Sequence, residues 1–143
     1  MPSNRRSFLL GSSAFVSSLA GCVDLGNSTH MIDLNLYNYT AERQPLRIEI
    51  LREDVDKYDA ALVLGREFTI PAPKAGEPAG TVRKSDLVER RPYLVRTLLK
   101  YGRGQWDEYH FYPGENATDS EASYIDIRVY QDDETNELYT RFT

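Results

Sequence analysis

The sequence predicts an all-β, antiparallel sandwich of seven to eight strands. Three observations carry that prediction. From Met31 onward apolar and polar residues alternate with a period of two, the period of a half-buried strand. The alternating segments are short and bounded by clusters of Gly, Pro, Asn and Asp, which favour turns. No stretch repeats apolar residues at helical spacing, so the strands have only each other to pack against.

The segments follow in order. Ile32, Leu34 and Leu36 alternate with Asp33 and Asn35, and Leu46, Ile48 and Ile50 alternate with Arg47 and Glu49. Between them lies a polar connection, residues 38–45, that ends in Pro45 and suits a hairpin or a corner. Residues 55–64 read as a strand leading into Phe68 and Ile70, because Gly65 sits poorly inside a helix. Residues 71–80 hold three prolines and two glycines and read as a long surface loop, and residues 85–88 as a short edge strand or a helical turn. Strands are then expected at 93–101, 106–112, 124–130 and 137–142. Gly102-Arg103-Gly104 joins the first pair as a tight hairpin, and the acidic turn 132–136 joins the last.

Ahead of this pattern stands a different kind of segment. Arg5-Arg6 precedes an apolar run, Phe8 to Ala20, which closes on Leu19-Ala20-Gly21-Cys22. The run is short of the ~20 residues that a transmembrane helix needs. The arrangement resembles a twin-arginine (Tat) export signal joined to a lipobox. The resemblance implies cleavage before Cys22 and a lipid on its sulfur. The chain then divides into a lipoprotein signal peptide (1–21), a lipidated tether (22–30) and a sandwich domain (31–143). It holds one cysteine, so no disulfide forms within it. One acyl chain holds a protein to a bilayer only marginally, and stable attachment calls for a double-chain lipid.

The full chain has 17 Lys and Arg against 22 Asp and Glu, and loss of Arg5 and Arg6 takes the net charge from −5 to −7. High net negative charge keeps a protein soluble and is a lever used by halophiles. No cluster of Lys and Arg stands apart from acidic neighbours, which argues against a nucleic-acid partner. Residues 34–40, 46–50, 91–95 and 125–129, with the leader, resemble the small immunoglobulin-like sandwich domains of uncharacterised function carried by haloarchaeal Tat-exported lipoproteins. The resemblance implies an immunoglobulin-like sandwich at the outer face of the cytoplasmic membrane. The chain departs from a true immunoglobulin domain in lacking a cysteine pair and in placing Trp106 late. A cupredoxin-like copper site is disfavoured, since it needs a thiolate and two imidazoles, and the only histidines are His30 and His110.

Few residues suggest chemistry. By alternation Tyr109 and Phe111 point inward, while Trp106, Glu108, His110 and Tyr112 point outward. A His110–Glu108 pair has groups that bind a metal or move a proton, but with no third ligand in sight it reads as a surface pair. His30 falls in the tether. Asp54, Asp56 and Asp59, and the turn 132–134, lack the spacing and glycine of an EF-hand and read as solvated turns. There is no Gly-x-Ser-x-Gly elbow and no phosphate loop. Outward Trp106, His110 and Tyr112 form a candidate aromatic binding face. Asn27, Asn38 and Asn116 begin glycosylation sequons in expected tether or loops. The sequence thus leads to the expectation of a non-enzymatic module without cofactor or metal. Its expected partners are the membrane, through Cys22, and a cell-envelope protein or glycan. The alternatives are a glycan- or solute-binding protein using the Trp106 face, and a metal-dependent hydrolase assembled across loops.

Overall fold

The computed structural model describes residues 30–114 and 124–143. Eight strands are present: β1 (Met31–Asn38), β2 (Gln44–Arg52), β3 (Leu62–Ile70), β4 (Gly80–Glu89), β5 (Tyr93–Leu99), β6 (Asp107–Phe111), β7 (Tyr124–Gln131) and β8 (Leu138–Phe142). A single helical turn, α1 (Tyr58–Ala61), precedes β3. The strands form two four-stranded sheets, ordered β4-β1-β7-β8 and β3-β2-β5-β6. The sandwich expected from the periodicity is therefore the fold, with eight strands. Every ladder is antiparallel except one, because β1 and β7 run parallel from Asp33↔Tyr124 to Asn38↔Val129. A parallel pair cannot be closed by a hairpin. Here the whole second sheet lies between its two strands in sequence.

Alternation builds the core. Ile32, Leu34 and Leu36 of β1, Ile125, Ile127 and Val129 of β7, Leu46, Ile48 and Ile50 of β2, and Tyr93 and Val95 of β5 meet between the sheets and are essentially inaccessible. Burying a side chain of this size contributes roughly 1.5–3 kcal/mol relative to exposure. One polar bridge crosses the open side of the sandwich. Buried Thr97 of β5 meets Thr140 of β8 (Oγ1 to Oγ1, 3.0 Å), and the Thr140 hydroxyl donates to Asp107 of β6 at 2.7 Å. Beside it Tyr109 stacks on Phe142 with ring centroids 5.0 Å apart.

Three local readings change. Residues 55–64 are not one strand: Val55 to Lys57 form a connection, α1 makes one turn with the Ala60 and Ala61 amides donating to the Lys57 carbonyl, and β3 starts at Leu62. The turn buries Ala61, which a straight strand would have left on the outer face. Residues 85–88 are edge strand, the first of the two alternatives, but part of a longer one than expected: they belong to β4, ten residues long at the edge of its sheet. Pairing jumps from Ile32↔Val88 to Leu34↔Lys84, and within the jump Asp86 adopts φ 53° while its amide donates to Asp33 Oδ1. Such a bulge, with exposed Arg83, Lys84 and Asp86, discourages pairing with another chain.

The third change concerns Asn38, expected in a loop and as a glycan acceptor. It is the last residue of β1 and fully buried. Its Nδ2 donates to the carbonyls of Glu42 (2.7 Å) and Pro71 (3.0 Å), and its Oδ1 accepts from the Thr40 amide (2.9 Å). Both amide protons are engaged within the folded domain. The same corner explains Gly80, where a Cβ would lie 1.8 Å from the Pro71 carbonyl oxygen.

Candidate functional site

Of the residues singled out by alternation, Glu108 and His110 lie on β6, shorter at both ends than the expected 106–112, while Trp106 and Tyr112 flank it, and the structure divides them. Near one end the half-buried Trp106 lies under the Arg96 guanidinium, 4.6 Å from ring centroid to Cζ. Arg96 sits between two carboxylates, with Nε 3.3 Å from Glu108 Oε1 and Nη1 3.9 Å from Glu49 Oε2. Glu108 therefore serves Arg96 and is not the partner of His110. Glu49 is the most enclosed charge of this face, its side chain only 4% exposed. Arg47 holds it through Nε and Nη2 at 3.2 and 3.1 Å, and Tyr58 of α1 bonds it through its hydroxyl, which raises the phenol pKa. Trp106 is thus packed into an ion-pair network that occupies one side of its ring.

At the other end of β6 the geometry is different. His110 Nδ1 lies 2.5 Å from Glu53 Oε1, and the Tyr112 hydroxyl donates to the same oxygen at 3.3 Å. That bond raises the Tyr112 pKa, because ionisation would set two negative charges side by side. The His110 and Tyr112 rings are nearly coplanar in orientation, 8° apart with centroids 6.4 Å apart. Glu53 comes from the connection after β2, and 57 residues separate it from His110. Nothing in the local pattern marks the pair. The pairing of β2 and β6 to opposite sides of β5 brings them together.

Glu53, His110 and Tyr112 line a bowl of about 480 Å³ between the end of β6 and α1. Its lining includes the apolar side chains of Leu51, Val55, Leu94 and Ala61, together with the Tyr58 and Tyr112 rings. Tyr58 is 45% and Tyr112 63% exposed, so both rings are open to a ligand. A second depression of similar size shares the Glu53 and Tyr112 wall and is lined beyond it by Asp54, Arg90, Arg91 and Pro92. Most of its charges are engaged: Arg91 pairs with Glu89, Arg90 donates to the Gly114 carbonyl, and Arg52 grips Asp54 through two bonds that hold the Asp54 pKa below its usual value.

Other expected sites fall outside this region. Cys22, Arg5, Arg6, Asn27 and Asn116 lie outside the described residues. The His30 carbonyl accepts from the Arg90 amide at 2.8 Å. Asp132 turns its carboxylate onto its own loop, accepting from the Thr135 and Glu134 amides and the Thr135 hydroxyl, which lowers its pKa. Among the described residues no three His, Cys, Asp or Glu side chains are grouped to hold a metal ion.

An aromatic strip on the opposite sheet escaped the sequence reading. Tyr130 stacks between Tyr39 (4.8 Å) and Tyr139 (5.6 Å), and Arg141 lies over both Tyr130 and Tyr139. These rings face one another, so the strip is largely self-satisfied. No protein-family model and no curated protein matches the chain.

Proposed function

We propose that the protein is a lipid-anchored, extracytoplasmic binding module without catalytic activity, and that its ligand enters the bowl between α1 and the end of β6. The carrying observation is that two exposed tyrosine rings, Tyr58 and Tyr112, line one bowl with the apolar side chains of Leu51, Leu94 and Ala61 and with the Glu53–His110 pair. Concave apolar sites with a few convergent polar groups are where small ligands and side chains bind. The anchor rests on Arg5-Arg6 and Leu19-Ala20-Gly21-Cys22. A lipid on Cys22, followed by the short segment to Met31, keeps the sandwich close to the membrane surface and restricts its partners to the cell envelope.

Trp106 is less suited to contact a ligand than Tyr112, since Arg96 already covers its ring. The test has two arms. Intact mass of the membrane-bound protein is expected to show a species beginning at Cys22 with a lipid adduct, lost in Cys22→Ser and in the Arg5→Lys/Arg6→Lys double variant. A photo-crosslinking amino acid at position 112 is expected to form a defined adduct in native membranes, and the same group at exposed position 101 is not. Unmodified protein in the cytoplasm overturns the anchor, and equal labelling from both positions overturns the site.

A further inference from the structure

We propose that the bowl binds an alkylated ammonium cation. This inference rests on the binding-module reading and names its ligand class. Four features lead to it. The rim carries the Glu53 and Asp56 carboxylates, while the one guanidinium that lines the bowl, Arg52, is held by Asp54 in two bonds. Both bonds to Glu53 use Oε1, and among the described residues Oε2 takes none. The walls are tyrosine rings, whose negative faces attract cations. The apolar part of the lining is Leu51, Val55, Leu94 and Ala61, whose side chains offer methyl contacts.

The apolar lining decides between kinds of cation. A small hydrated metal ion entering here would lose water that the apolar side chains cannot replace, and among the described residues no set of three ligating side chains stands ready to receive it. An ammonium bearing methyl or methylene groups loses little hydration at those groups. It gains apolar contact, ring contact and charge contact. An anion meets the Glu53 and Asp56 carboxylates and is repelled. Two sources share this chemistry: a free quaternary ammonium solute, and a lysine side chain on a peptide.

The full chain, purified from membranes in detergent with its tyrosine rings labelled, is titrated with choline chloride while ring resonances are followed by NMR. Saturable shifts at Tyr58 and Tyr112 are expected with choline and not with equimolar sodium chloride. The uncharged isostere 3,3-dimethylbutan-1-ol is expected to bind on the order of tenfold more weakly, the scale of a cation–π and charge contact. Glu53→Gln and Tyr112→Leu each are expected to weaken choline on the order of tenfold, whereas Tyr101→Leu leaves it unchanged. Nα-acetyl-lysine methylamide binding more tightly than choline assigns the site to a peptide lysine, and the reverse assigns it to a solute. Absence of saturation, or equal binding of the uncharged isostere, overturns the inference. If crosslinking at position 112 persists in that case, the binding-module reading stands without it.

Discussion

Replacing Asn38 by alanine removes the side chain that ties three segments together at one corner of the sandwich. Its amide donates to the carbonyls of Glu42 and Pro71 and its carbonyl oxygen accepts from the Thr40 amide, all from a fully buried position. A neutral hydrogen bond contributes about 1 kcal/mol net, and a buried group left without a partner costs about 1–3 kcal/mol. With the bond from the Thr40 hydroxyl to the same oxygen (2.8 Å), four bonds are lost, and relaxation that recovers part of the cost places the effect at about 3 kcal/mol. With a urea slope near ~1.5 kcal/mol/M for a domain of this size, the midpoint falls by roughly 2 M. Trp106 is the only tryptophan and is packed under Arg96, so its fluorescence follows unfolding. A midpoint shift below about 0.5 M, which is under ~1 kcal/mol, would refute the reasoning. Asn38→Asp keeps the shape but points an acid at two carbonyl oxygens, so its folded-state pKa lies above its unfolded value. Its stability relative to wild type is therefore greatest below pH ~4 and declines as pH rises through the folded pKa. A pH-independent deficit would show that the two carbonyls do not face the new carboxyl.

Gly80→Ala places a Cβ against the Pro71 carbonyl at 1.8 Å, and it is expected to cost more than about 3 kcal/mol, against about 1 kcal/mol for Gly76→Ala at φ 83° in open space. Equal urea midpoints for the two variants would contradict the packing of this corner. Asp132 has a folded pKa below its unfolded value of 3.8, so the stability it contributes is present above that value and lost as pH falls through the folded one. Asp132→Asn should therefore flatten the decline in stability between about pH 4 and 2, and an unchanged acid slope counts against it. Tyr58, bonded to Glu49, Tyr112, bonded to Glu53, and Tyr93, raised chiefly by burial, resist ionisation in the native state. Stability is expected to fall as pH rises above 10, the ordinary tyrosine value, because the unfolded chain releases those protons first. Absorbance at 295 nm should show late-titrating tyrosines that return to ordinary behaviour in guanidinium chloride.

What the sequence determined by itself is the architecture and its inside. Alternation at Ile32, Leu34 and Leu36, at Leu46, Ile48 and Ile50, and at Ile125 and Ile127 marked strands and their buried faces, because the two-residue period is a property of each strand alone. It also separated inward Phe111 from outward His110 and Tyr112. The tertiary structure alone decided what the outward faces meet. His110 is bonded to Glu53 and not to Glu108, since sheet order places a connection 57 residues away beside it. Asn38, polar and the first residue of a sequon, is buried because the Pro71 and Glu42 carbonyls converge on it. The parallel β1–β7 pair and the bowl beneath Tyr58 have the same origin. Strand pairing is a contact between distant segments, and its register depends on how two faces fit, which no local period encodes.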